Sequence, residues 1–210
     1  MEFEFSKGVL KFDKVLSDLD KFVFGFLDLL DSNKLKYVIV SGYVSIILGR
    51  TRTTEDIDIF INKIEFKKFE SFFNVLELNG YWILNATDAK ETFSMLEDGL
   101  AIRIAKKGTA VPNFEIKFAR KDTDFISLNK PLKVVANNKT ILMSPLEMQI
   151  PFKFWLGSNK DIEDAIHIYT LFRDNLDQKL LKNMAKRLNV GKQMNKHGII
   201  AQSFGKRKES

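Results

Sequence analysis

The sequence predicts an α+β fold in which a mixed sheet of about five strands is backed by helices and followed by further C-terminal helices. Up to about residue 143, short runs rich in β-branched residues alternate with longer stretches of helical spacing. Beyond that point every periodic stretch is helical. With 45% hydrophobic residues and 19 phenylalanines, the 210-residue chain can bury a sizeable core.

The first elements follow from apolar periodicity. Apolar side chains at helical spacing predict an amphipathic helix over about 12–31. A buried-looking strand over 37–40 then runs into Ser41-Gly42, a short apolar helix covers about 43–48, and a second strand covers 56–61.

The middle of the chain alternates in the same way. A phenylalanine-rich helix begins near Phe66 and ends at Asn79-Gly80. Strands are predicted over 81–84, 100–105 and 114–119, and a hairpin around Asn137-Asn138. Residues 88–96 are predicted as a helical turn or loop.

The C-terminal part begins with Ser144 as a helix N-cap and Pro145 at the first helical position. Further helices are predicted from Asp161 and over about 177–188, and a flexible basic tail from Gly191. The predicted domains are a sheet domain over 1–143, a helical part over 144–190 and a tail over 191–210.

Composition excludes several classes of protein. The chain has no cysteine and two histidines, which excludes disulfides, thiol catalysis and cysteine-ligated zinc. No apolar run approaches the roughly 20 residues of a membrane span. We therefore expect a cytoplasmic protein that does not associate with a membrane.

The net charge of +6 is unevenly placed. Residues 178–210 hold nine Lys or Arg and one acid, whereas the remaining chain holds 24 basic and 26 acidic residues. A basic segment of this kind is either a solvated tail or a surface that contacts a polyanion.

The most informative feature of the sequence for its function is the segment Asp56-Ile57-Asp58-Ile59-Phe60-Ile61. Period-two geometry places Asp56 and Asp58 on one face of a strand, about 7 Å apart. The two carboxylates repel each other, but a divalent cation that they both bind offsets this repulsion. The pair therefore predicts a Mg²⁺ site for phosphate chemistry. The alternative is a solvated strand whose charges discourage aggregation.

The residues before this strand favour the first interpretation. Gly42 lets the backbone approach a phosphate closely. Arg50 and Arg52 can pair with phosphate oxygens. The order is strand, glycine turn, helix, basic loop and carboxylate strand.

This arrangement resembles the nucleotidyltransferase superfamily built on the DNA polymerase β palm. Arg52, Thr54, Asp56 and Asp58 form an R-x-T-x-D-h-D pattern similar to that of the AbiEii-like and minimal nucleotidyltransferases of prokaryotic toxin–antitoxin and phage-defence systems. The sequence departs from the usual Gly-Gly or Gly-Ser pair, because Gly42 is preceded by Ser41 and followed by Tyr43.

The resemblance implies further site residues. A later strand often supplies a third carboxylate, for which Glu115 is the candidate; the alternative is a surface Glu beside Lys117. Downstream, Lys153 and Asp164 match the helical Lys and second Asp that face the cleft in the AbiEii-like pattern. First-turn helix chemistry is the alternative for Asp164 and the preferred explanation for Asp161.

The leading interpretation is a Mg²⁺- or Mn²⁺-dependent enzyme that moves an NMP from an NTP to an RNA 3′ end, a protein hydroxyl or a small molecule. Its catalytic residues would be Asp56, Asp58, Glu115 and Lys153, and its metal ligands Asp56, Asp58 and Glu115. Its nucleotide-binding residues would be Ser41, Gly42, Arg50, Arg52, Thr54 and Asp164. Besides the NTP, the expected partners are tRNA or another RNA and a cognate toxin or antitoxin protein.

The alternatives are an inactive nucleotidyltransferase-fold module that binds a protein or nucleic acid, and an RNA-binding protein that binds through its basic tail.

Overall fold

The computed structural model describes residues 1–6 and 8–200 of the chain. It divides into two compact units, Met1–Pro145 and Leu146–Ser210, called here the first and second unit. All strands described belong to the first unit.

The strands are β1 (Glu4–Ser6), β2 (Val9–Phe12), β3 (Tyr37–Ile39), β4 (Asp56–Ile61), β5 (Tyr81–Ile83), β6 (Ile102–Lys106), β7 (Asn113–Phe118), β8 (Leu132–Ala136) and β9 (Lys139–Met143). The helices of the first unit are α1 (Asp18–Ser32), α2 (Gly42–Ile47), α3 (Phe66–Leu78), α4 (Ala89–Glu97) and α5 (Asp122–Asn129). Those of the second unit are α6 (Leu146–Leu156), α7 (Asn159–Phe172), α8 (Gln178–Arg187) and α9 (Gly191–Lys196).

The strands described form one mixed sheet in the order β1-β2-β8-β9-β3-β4-β7-β6-β5. The predicted mixed sheet backed by helices is confirmed, but the number of strands was wrong, since the sheet has nine and not about five. The strands β1 and β2 account for part of the difference. They are short and pair with each other and, through β2, with β8 more than 120 positions later in the chain.

The N-terminal helix also differs from its prediction. It begins at Asp18 and not near residue 12, because Ser17 and Asp20 form a capping box there. Phe12 lies in β2, where its side chain is buried. Val15 lies in the connection and is almost fully exposed.

One face of the sheet carries the core that fixes the position of β4 and β7. The buried side chains Ile57, Ile59 and Ile61 of β4 lie beside Phe114, Ile116 and Phe118 of β7. From α1, the rings of Phe22 and Phe26 stack on Phe114 with centroids 4.5 and 3.8 Å away. The opposite faces of these two strands therefore turn away from this core.

Helix α5 covers one end of that opposite face. Helix α5, which the sequence did not predict, packs Leu128 against Val38, Val40, Ala119 and the half-buried Phe60. Since β4 runs from Asp56 to Ile61, Phe60 marks the covered end and the two aspartates lie towards the other end. The sheet thus presents a polar, accessible strip beside an apolar, covered one.

The second unit consists of helices throughout the part of the chain that the structure describes. Helix α9 lies within the segment that was expected to be a flexible tail from Gly191, and its Met194 is buried. Residues 201–210 of that tail lie outside the described residues. Among the described helices, none combines the length and the apolar character needed to cross a bilayer.

Candidate active site

Asp56 and Asp58 share one face of β4, as the period-two pattern predicted. Both are partly exposed, whereas the intervening Ile57 is fully buried. In the parallel register with β7, Asp58 lies opposite Glu115. Three carboxylate-bearing positions therefore occupy one face of two adjacent strands.

The Asp58 carboxyl is held in an unfavourable environment for a negative charge. Burial first, then the charges of Asp56 and Glu115, raise its pKa to about 6. A hydrogen bond from the Ser41 hydroxyl and the positive charge of Lys117 act in the opposite direction. A divalent cation bound by these carboxylates would stabilise the ionised form of Asp58, which burial and the neighbouring negative charges disfavour.

Ser41 brings that hydroxyl to Asp58 through an unusual backbone conformation. Its φ of 62° and ψ of −131° lie in a region that glycine adopts without strain. Strand β3 ends at Ile39 and α2 begins at Gly42, so Ser41-Gly42 is the structural turn between strand and helix. Ser41, and not a glycine, therefore occupies the strained position of this turn.

Tyr43 is removed from the site by the same turn. Its side chain is fully buried, and its hydroxyl donates a hydrogen bond to Asp20 over 2.9 Å. Asp20 also accepts from Lys14 and Ser17, and these hydrogen bonds with that of Tyr43 keep its pKa low against the opposing effect of burial. Tyr43 thus connects α2 to the start of α1.

Thr54 positions the first aspartate. Its hydroxyl lies 3.1 Å from the backbone oxygen of Asp56 and 3.2 Å from Oδ1 of the same residue. Ser41 and Thr54, which the resemblance placed among the nucleotide-binding residues, therefore each contact one aspartate of the pair directly.

Arg52 lies against Gly42. A Cβ added to Gly42 would be 2.6 Å from Nη2 of Arg52 and 3.4 Å from the Thr54 hydroxyl, so a side chain there would force the guanidinium to move. Arg50 lies in the same loop, and its backbone N–H donates to the Ser45 carbonyl over 2.9 Å. The loop therefore brings a guanidinium onto the glycine turn next to the carboxylates.

Glu115 is engaged by a residue that the sequence analysis did not single out. Arg103 of β6 lies opposite it, with Nε and Nη2 at 2.9 and 2.7 Å from one carboxylate oxygen. Among the described residues, no three acidic or histidine side chains converge in a way that can hold a metal ion as they stand. The alternation of β6 could have revealed Arg103, because Ile102 and Ile104 point into the core.

Lys153 and Asp164 meet within the second unit. Both are fully buried, and Nζ of Lys153 lies 2.8 Å from Oδ2 of Asp164. The same ammonium lies 3.2 Å from Oδ1 of Asp161, whose backbone N–H is capped by Ser158. These contacts join α6 to α7, and first-turn chemistry explains Asp161 as expected.

The fold is similar to solved nucleotidyltransferase-like structures. One is an antigenic nucleotidyltransferase-like protein from Paracoccidioides brasiliensis, with 19% identity, a TM-score of 0.51 and coverage of 85% of this chain and 91% of that one. Another is ANT(2'')-Ia in complex with adenylyl-2''-tobramycin, with 15% identity, a TM-score of 0.56 and coverage of 82% and 98%. The solution structure of the same antibiotic-resistance factor has 14% identity and a TM-score of 0.53, and the match covers 87% of this chain and 98% of that one.

No family model matches the chain, and no curated protein matches it. Identities of 14–19% show a common fold. The comparisons therefore confirm that this chain shares the fold of these nucleotidyltransferase-like structures.

Proposed function

We propose that the chain is a Mg²⁺- or Mn²⁺-dependent nucleotidyltransferase that moves an NMP from an NTP to a hydroxyl acceptor. The observation that carries the proposal is the pair Asp56 and Asp58, side by side on the accessible face of β4, with burial and carboxylate repulsion raising the pKa of Asp58 to about 6. The nucleotidyltransferase-like neighbours support it, one of which holds an adenylylated aminoglycoside.

The metal site would consist of Asp56 and Asp58, with Glu115 as the third ligand. Bound divalent cations supply charge stabilisation for the attacking hydroxyl and the leaving pyrophosphate. Ser41 and Thr54 hold the two aspartates in position before any ligand arrives. Arg103 holds one oxygen of the Glu115 carboxylate, so a metal ion bound there would share the carboxylate with Arg103 or displace it.

The triphosphate would be bound by the loop before β4. The guanidinium of Arg52 lies directly over Gly42, where a bound phosphate can approach both the arginine and a backbone without a side chain. Arg50 supplies a second cation in that loop. These two arginines offset the negative charge that the aspartates and the triphosphate bring together.

Lys153 and Asp164 are kept as candidate nucleotide contacts on the strength of the AbiEii-like pattern alone. Their buried ion pair favours a structural role for both, since the Lys153 ammonium already has two carboxylate partners. If Lys153 contacts a phosphate, a Lys153 variant should lose nucleotide binding while its stability stays unchanged.

The acceptor is proposed to be an RNA 3′ end or a protein hydroxyl in a cytoplasmic toxin–antitoxin or phage-defence system. The AbiEii-like motif supports the setting, and the basic C-terminal segment supports RNA, tRNA included. A second candidate is an inactive module of the same fold, which is favoured by one observation: Glu115 and Lys153 are both already ion-paired.

A transfer assay decides between the two. The full chain is incubated with each α-labelled NTP, Mg²⁺ and either tRNA or a protein extract, and the labelled product is resolved on gels. We expect label on one acceptor with one preferred NTP, and none with Asp58→Asn. The inactive module predicts metal-stimulated NTP binding in a thermal-shift assay without transfer to any acceptor.

A further inference from the structure

Helix α8 presents a stripe of lysines to solvent. Lys179, Lys182 and Lys186 are exposed, whereas Leu181, Met184 and Ala185 on the other side of the helix are buried. At 3.6 residues per turn the three lysines fall within one narrow arc, and a rise of 1.5 Å per residue spreads them over about 10 Å. The buried residues fix the stripe in its outward orientation.

Helix α9 continues the same charge. Lys192 and Lys196 are exposed, and Met194 between them is buried. The sequence has no acidic residue from 178 to 200. The five lysines of α8 and α9 are called here the lysine surface.

Among the described residues, the lysine surface lacks the acidic partners that some cations of the first unit have. Lys14, Lys63 and Arg103 each pair with a carboxylate at 2.7–2.9 Å. No ion pair is recorded for any lysine of the lysine surface within the described part of the chain. Lys182 and Lys186 are four residues apart on one helix face, where like charges repel.

We propose that the lysine surface binds the phosphate backbone of RNA. A row of cations separated by a few ångströms matches a chain of regularly spaced phosphates, and binding relieves the lysine repulsion. A membrane fits less well, since the apolar side of α8 is buried and the exposed Gln178 and Asn183, which flank the lysines on the helix surface, are polar. The proposal deepens the proposed function by choosing RNA over a protein as the acceptor and by locating the residues that bind it; the link to an acceptor rests on that proposed function.

The test uses the full chain with Lys179, Lys182 and Lys186 all changed to Gln. The matched control changes the exposed Lys67, Lys90 and Lys107 of the first unit to Gln, which removes the same charge. Binding of a labelled unstructured RNA 20-mer is measured by anisotropy over a salt series, with the same-sequence DNA as a second arm.

We expect the α8 triple variant to lower the log–log salt slope by about 2, at roughly 0.7 for each lost phosphate contact, and the control to change it little. Affinity should fall at least tenfold at about 0.1 M salt. Equal effects of the two triple variants, or no effect of the α8 variant, would overturn the proposal. Tighter binding to DNA, to anionic lipid vesicles or to polyglutamate than to RNA would overturn it as well.

Failure of this proposal is distinguishable from failure of the proposed function. Both triple variants should retain the thermal shift given by an NTP with Mn²⁺, since the lysines changed are not among the residues proposed to bind the nucleotide. RNA binding without transfer of label would refute the enzyme and leave the lysine surface standing. Transfer of label to an acceptor with unaltered RNA binding in the α8 variant would refute the lysine surface alone.

Discussion

Arg103 and Glu115 face each other across β6 and β7, with two guanidinium nitrogens 2.7 and 2.9 Å from one carboxylate oxygen. Glu115 is in turn opposite Asp58 in the next strand pair. Arg103 therefore neutralises the carboxylate that lies opposite Asp58 in the register of β4 and β7. We expect a metal ion held by Glu115 to compete with Arg103 for this carboxylate.

Arg103→Gln should strengthen metal binding, because it frees Glu115 and removes a positive charge from the site. We expect a several-fold lower dissociation constant for Mn²⁺, measured by the loss of the free-ion electron paramagnetic resonance signal on titration. Lys63→Gln, which breaks the exposed pair with Glu97, is the control and should leave Mn²⁺ binding unchanged. Unchanged or weaker Mn²⁺ binding in Arg103→Gln would contradict competition between Arg103 and the metal ion.

The raised pKa of Asp58 makes the stability of the metal-free protein depend on pH. The folded pKa of about 6 exceeds the ordinary value of 3.8, so ionised Asp58 disfavours the fold. The penalty is absent below about pH 4, grows as pH rises through 6 and is complete above it. A shift of about two pKa units corresponds to at most about 3 kcal/mol.

Asp58→Asn should remove that penalty. We expect the variant and the original chain to differ little in free energy of unfolding near pH 4, and the variant to be more stable by about 1–3 kcal/mol at pH 7. Urea unfolding in the presence of a chelator at several pH values measures this difference. A stability difference between the two proteins that does not change with pH would mean that the pKa of Asp58 in the folded protein is not raised.

Gly42→Ala should displace Arg52, because the new Cβ would lie 2.6 Å from its Nη2 atom. Since the far end of a flexible side chain can move, the fold should survive, while the affinity for NTP falls severalfold. Isothermal titration with a non-hydrolysable NTP analogue measures the loss. Gly25→Ala in α1, where the new Cβ meets nothing within 4 Å, is the control and should raise stability by about 0.5–1 kcal/mol.

What the sequence predicted well is local in origin. The alternation of Ile57 and Ile59 with Asp56 and Asp58 is a period-two signal within one strand, and the structure reproduces it. Phe12 illustrates the limit of this kind of argument. It fits the apolar helical spacing that continues into α1, yet β2 takes it into a parallel pair with β8, a pairing that no local pattern reports.

The site shows the same division. Asp56, Asp58 and Arg52 stand in one short motif and could be selected from it. Arg103 reaches Glu115 through the register of an antiparallel pair, which depends on the length and path of the β6–β7 connection. The burial of Tyr43 depends on Asp20, a distant partner supplied by the start of α1.

Lys153 provides the last prediction, because its two proposed roles give opposite outcomes. As the buried partner of Asp164, it should be required for stability: Lys153→Met leaves a fully buried carboxylate without its cation, at a cost of about 3–5 kcal/mol. Adding Asp164→Leu removes that carboxylate and should restore much of the loss, since an apolar pair of similar volume tolerates the same burial. Urea unfolding of the single and double variants measures both effects. A Lys153→Met variant of unchanged stability that no longer gains thermal stability from NTP and Mn²⁺ would instead assign the lysine to the triphosphate.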